Sequence, residues 1–144
     1  MKGATEQTYA RIYFDVDQTI SLEGNTGPYI QYAYSRIQSI FKKAGKFKLA
    51  SVENLSHERE QGLMSHLLHY SEVLETAAEE YKPNLLCNYL FELAAVFNAF
   101  YNEVPVINAE NQELMRQRLT LLTAVANILK NGLGILGITA PTEM

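Results

Sequence analysis

The sequence predicts an all-α protein, a bundle of about five helices, on three observations. Apolar residues recur at three- and four-residue spacing in successive segments from residue 28 onward. Prolines, glycines and capping residues divide those segments by short connections. Beyond residue 22 nothing shows the two-residue alternation that a sheet would need.

Taken in order, residues 9–22, YARIYFDVDQTISL, are β-branched and aromatic and predict one or two short extended segments. With no partner strand in the chain, their backbone groups must be satisfied elsewhere, in a larger sheet to which they belong. EGNTG then predicts a turn. The first helix starts near Pro28, with Asn25 or Thr26 as its cap, and stops before Gly45. Ile30, Ala33, Tyr34, Ile37 and Phe41 form its core-facing stripe. A second helix follows Ser56 through His66 and Leu68, and a third covers roughly residues 72–81. The fourth begins at Pro83 and carries Leu86, Leu90, Leu93, Phe97 and Phe100. After the loop EVPVINAEN comes the longest helix, with Leu114, Leu122, Val125, Leu129 and Leu133, slowed or ended by Gly132, Gly134 and Gly137.

The 144 residues, 47% hydrophobic and 19% charged, match one ordinary globular domain. No apolar run is long enough to span a membrane, and MKGATEQTYARIYFD lacks the apolar core of a secretory signal, so the expected compartment is the cytoplasm, with no membrane partner. Cys87 is the single cysteine, which excludes an intrachain disulfide and a thiolate-rich zinc site, and its apolar surroundings predict a buried structural thiol. The net charge of -4 argues against a general nucleic-acid binder. Yet residues 24–52 contain no acid and hold Arg36, Lys42, Lys43, Lys46 and Lys48, five of the 12 cations. A local basic surface on an acidic body suits a protein that grips a polyanion at one place; a solvated lysine-rich helix end has the same pattern.

Two constellations mimic active sites. Asp15-Val16-Asp17-Gln18-Thr19 fits the nucleophile motif of haloacid dehalogenase-type phosphatases, but these are the only aspartates, and the alternating strands and helices that would carry the remaining groups are absent. His66, His69 and Glu72 would share a face as metal ligands if one helix ran through Tyr70; any surface stripe has the same spacing. No phosphate-binding glycine loop or nucleophile elbow occurs, so no catalytic residue and no metal ligand is assigned.

The first helix is more informative. At about 100° per residue, Tyr29, Tyr32 and Arg36 fall within about 60° of one another, roughly 120° from the Ile30, Ile37 and Phe41 stripe. Two aromatic rings and a guanidinium on one shoulder suit an unpaired base, and equally suit a tyrosine-rich helix packing against neighbours.

EGNTGPYIQYAYSRIQSIFKKAG, residues 23–45, closely resembles the segment that opens the anticodon-binding domain of class I arginyl-tRNA synthetases. KPNLLCNYLFELAAVFNAFYNEVPVI, LTLLTAVANILKNGLGILGI and the terminal APTEM agree with the same family in order, while residues 1–8 and 45–54 match weakly. The resemblance implies a C-terminal anticodon-binding helical domain over residues 23–144, with residues 1–22 as the end of, or linker from, the catalytic domain. It implies that the partners are the anticodon loop of arginine tRNA and that catalytic domain. In the implied pocket Tyr29 and Tyr32 flank cytosine, the middle base that arginine anticodons share, Arg36 holds it, and the carboxylate of Met144 closes the site. Lys42, Lys43 and Lys46 are candidates for the flanking phosphates, and Asn98 and Tyr101 for packing nearby. The family's parent reaction joins arginine to its tRNA using ATP and magnesium, through His-Ile-Gly-His-like and Lys-Met-Ser-Lys-Ser-like loops. Neither occurs here, so the chain is expected to bind no cofactor and to be inactive alone. The competing expectation is a free-standing helical adaptor that keeps the fold without synthetase activity.

Overall fold

The computed structural model describes residues 15–19 and 26–144. Most of the extended reading of residues 9–22 therefore lies outside the described residues. The part inside them is corrected: α1, Val16–Thr19, is a single helical turn with Asp17 in it.

Five longer helices follow. In α2, Gly27–Ala44, the Thr26 hydroxyl accepts from the Tyr29 amide at 3.3 Å, and Gly45, at φ 70°, donates its amide back to the Phe41 carbonyl at 3.1 Å. Only a residue without a Cβ enters that left-handed turn cheaply, which is why the helix stops there. Ile30, Ala33, Tyr34, Ile37 and Ile40 face the core, whereas Phe41 leans on Phe47 at its edge, ring centroids 5.5 Å apart. α3, Glu58–Leu68, is capped reciprocally: His57 Nδ1 accepts from the Arg59 amide and the Glu60 carboxylate accepts from the His57 amide. Only His69 separates α3 from α4, Tyr70–Glu79. The third predicted helix is thus shifted toward the N-terminus, and Tyr81, at φ 55°, makes the turn before Pro83.

α5, Pro83–Glu103, is the hub, packed against α2, α3, α4 and α6. Leu90, Leu93, Ala94, Phe97 and Phe100 are wholly shielded from water. α6, Gln112–Ile135, is capped by the Asn111 side chain, which accepts from the Leu114 amide at 2.8 Å. It runs through Gly132 and Gly134 instead of ending there. At Gly132 a Cβ would lie 2.6 Å from a Leu90 methyl, so this glycine allows α5 and α6 to approach, while nothing lies within 4 Å of a Cβ at Gly134. Gly132→Ala is expected to cost about 1–3 kcal/mol through overpacking. Gly134→Ala should gain up to about 1 kcal/mol from helix propensity. Urea denaturation of the two variants checks the opposite signs.

The segment between α2 and α3 has no helix of its own but is tied to α6. Thr120 Oγ1 accepts from the Ala50 amide at 3.0 Å, and Gln117 Oε1 accepts from the amides of Glu53 and Asn54 at 3.2 and 3.0 Å. Among the described residues no helix is long and apolar enough to cross a membrane.

Candidate nucleic-acid interface

The chain after α6 reverses at Gly137, φ 75°, and runs alongside α2. Gln31 Nε2 donates to the Thr139 carbonyl at 2.7 Å, and Ser35 Oγ donates to the Pro141 carbonyl at 2.8 Å. Lys42 pairs with Glu143 at 3.2 Å. Residues 31, 35 and 42 lie on one helix face, so a polar ladder seats the tail along that face. Between α2 and the tail is a cleft of about 410 Å³ lined by Tyr32, Arg36, Ser39, Lys42, Glu143 and Met144.

Three of the four sequence-predicted site residues, Tyr32, Arg36 and Met144, thus line one cleft. Tyr32 and Met144 are 36% and 61% exposed, so both present surface to the cleft. The Arg36 guanidinium lies between two tyrosines, 5.4 Å from the Tyr32 ring centroid and 4.6 Å from that of Tyr101. Such sandwiching holds a cation by the ring quadrupoles and limits its rotamers. Tyr29 stands one step back. Its ring packs on Phe91 at 5.1 Å, and its hydroxyl accepts from Asn98 Nδ2 at 3.0 Å. The Asn98 Oδ1 accepts from Arg36 Nη1 at 3.4 Å, so one amide links Tyr29 to Arg36.

Of the candidate phosphate contacts, Lys42 lines this cleft, Lys43 lines a neighbouring hollow, and Lys46 is exposed beyond Gly45, outside both. The sequence reading missed Ser39, Thr142 and Glu143. Ser39, three residues after Arg36, could have been found on the same helix face; nothing local marks the tail residues.

His66 stacks on Tyr89, 4.7 Å between centroids and 12° between planes, and His69 Nδ1 lies 2.8 Å from the Ser65 carbonyl. The helix breaks at His69, so the uninterrupted face that a His66, His69 and Glu72 site would need does not form. Burial pushes the Tyr89 phenol up to about 12, and it donates to the His66 carbonyl at 3.0 Å. Among the described residues no three His, Cys, Asp or Glu side chains are grouped to hold a metal. Cys87 is half-buried.

Comparison with known proteins matches the same region. Residues 30–144 fit the family model of the DALR anticodon binding domain. The chain is 43% identical over 133 residues to an arginine-tRNA ligase of Pectobacterium atrosepticum and 44% identical over 133 residues to that of Hamiltonella defensa. In each case the match covers 91% of this chain and 23% of the relative, so the chain spans under a quarter of those enzymes. Among solved structures, Thermus thermophilus arginyl-tRNA synthetase superposes with a TM-score of 0.81 at 40% identity, covering 86% of this chain and 22% of that one. The Plasmodium falciparum enzyme gives 0.74 at 29% identity, covering 91% and 23%. With a helical bundle, a matched region that contains the whole cleft, and arginyl-tRNA synthetases among both its sequence relatives and its structural neighbours, the chain belongs to the DALR anticodon binding domain family.

Proposed function

We propose that this chain acts as the anticodon-binding domain of an arginyl-tRNA synthetase and that the cleft between α2 and the tail receives the middle anticodon base of arginine tRNA. The observation that carries the reading is the exposed Tyr32 ring beside a guanidinium already held by Tyr101 and Asn98. An unstacked cytosine lies against Tyr32, and the free N–H groups of Arg36 point at its acceptor edge. Because Arg36 is held before the RNA arrives, little side-chain entropy is lost on binding. Tyr29 acts through Asn98, orienting Arg36. Met144 closes the open side, and Lys42 and Lys43 face the adjoining phosphates, with Lys46 further out. Lys42 exchanges its exposed Glu143 partner for a phosphate at small cost, since a surface ion pair contributes little.

In this reading arginine activation, with its ATP and magnesium, belongs to a separate catalytic domain, and the 144-residue chain alone forms no arginyl adenylate. The setting is the cytoplasm, where the tRNA is charged. Arg36→Ala and Tyr32→Ala are each expected to weaken binding of arginine tRNA by about 1–3 kcal/mol, the scale of one stacked base. Fluorescence anisotropy at fixed salt measures this, since phosphate contacts make every affinity salt-dependent. Wild-type affinity in both variants sinks the assignment.

A further inference from the structure

Met144 lines the cleft between α2 and the tail and is 61% exposed, whereas Met64 and Met115, the other methionines among the described residues, are partly buried and packed against the core. The bonds from Gln31 and Ser35 to the carbonyls of Thr139 and Pro141 hold the chain that leads to Met144, which keeps it beside α2. There it shares the cleft with two cations, Arg36 and Lys42. Two hydroxyls of the lining are already committed: Ser35 Oγ donates to the Pro141 carbonyl at 2.8 Å, and Ser39 Oγ donates to the Ser35 carbonyl at 3.1 Å. Arg36 directs Nη1 at Asn98, and a guanidinium has further N–H groups to offer.

We propose that Met144 is a modification site: hydrogen peroxide oxidises its thioether to the sulfoxide, and the sulfoxide weakens the hold of the cleft on RNA. The proposal rests on the reading that this cleft takes the middle anticodon base. In the oxidation the sulfur lone pair attacks one peroxide oxygen, the S–O bond forms and the O–O bond breaks. The second oxygen leaves as hydroxide and collects the proton shed by the first, giving water. Sulfur loses two electrons and the peroxide gains them. A thioether needs no deprotonation to react, so access to solvent selects Met144 over Met64 and Met115. The product matters because of where it stands. Thioether sulfur is a weak acceptor, whereas the sulfoxide is polar and its oxygen accepts strongly. A base brings an acceptor edge to Arg36, and the sulfoxide oxygen offers the same guanidinium a competing acceptor that is already tethered in the cleft. Methionine sulfoxide reductases remove the oxygen as water while a dithiol becomes a disulfide, so the change is reversible.

The test treats the folded 144-residue chain with hydrogen peroxide, and peptide mass spectrometry follows the gain of one oxygen atom at each methionine. Met144 should be oxidised before Met64 and Met115. Circular dichroism establishes that the treated chain keeps its helices, and fluorescence anisotropy gives the affinity for arginine tRNA before treatment, after it, and after reduction by the reductases for both sulfoxide epimers. Oxidised wild type should bind about fivefold more weakly, the scale of one diverted hydrogen bond, and should recover on reduction. Met144→Leu has no thioether at that position, so its affinity, whatever its value, should be the same before and after treatment. Oxidation of Met64 or Met115 ahead of Met144, unchanged affinity once Met144 is fully converted, or an equal loss in treated Met144→Leu overturns the proposal and leaves the reading of the cleft standing. Failure of untreated wild type to bind the RNA, or wild-type affinity in both untreated Tyr32→Ala and Arg36→Ala, overturns both.

Discussion

Arg118→Ala is expected to destabilise the fold by about 3–5 kcal/mol, the cost of leaving one member of a buried ion pair without the other. Arg118 Nε donates to Glu60 Oε1 at 2.6 Å, with the two side chains 8% and 1% exposed. The other carboxylate oxygen accepts from the His57 amide at 2.9 Å, and the guanidinium also reaches the Pro105 carbonyl. One charge pair thus ties the start of α3, the middle of α6 and the loop before α6. Truncating Arg118 strands a carboxylate where water does not reach it. Replacing both partners, Glu60→Leu with Arg118→Met, should restore most of the loss, because apolar groups of similar volume need no solvation. Urea denaturation of the single and double variants decides it; a single-variant loss below about 1 kcal/mol would mean that the pair behaves like an exposed one. By contrast Arg59 and Glu103, though their hydrogen bond raises the arginine pKa and lowers that of the carboxyl, are exposed and screened by solvent.

The helices were legible because their signals are local. Thr26, Pro28 and Gly45 bracket α2, Pro83 opens α5, and apolar spacing marks the buried faces. What stayed hidden depends on contacts distant in sequence. The break at His69 has no proline or glycine to announce it, and the register of α4 is set by packing on α5. Gly132 looks like a helix terminator until the approach of Leu90 is known. The same limit applies at the site. The angular cluster of Tyr29, Tyr32 and Arg36 follows from helix geometry alone. That Tyr29 is turned inward on Phe91, and that Asn98 joins it to Arg36, is settled by residues of α5 that lie at least 62 positions away in the chain. The docking of the tail on Gln31 and Ser35 is longer in range still, and only the resemblance to a family pointed to Met144.

Phe97→Ala should likewise cost about 3–5 kcal/mol, as truncation of a fully buried aromatic side chain does when its surroundings relax only partly. Its position makes the consequence more than a loss of stability. The Phe97 ring lies 6.0 Å from that of Tyr101, so it backs one of the two residues that hold Arg36. A cavity there lets Tyr101 sink toward the core and withdraws the stacking surface from the guanidinium, although no atom of Phe97 lines the cleft. Leu129→Ala, wholly buried on α6 and outside both hollows, provides the comparison at about 2–5 kcal/mol. Measured well below either unfolding midpoint, Leu129→Ala should bind arginine tRNA like wild type, whereas Phe97→Ala should bind several-fold more weakly. Equal affinities for the two folded variants would show that Arg36 needs no support from α5 beyond the Asn98 hydrogen bond, and pre-organisation by the Tyr101 ring would have to be given up.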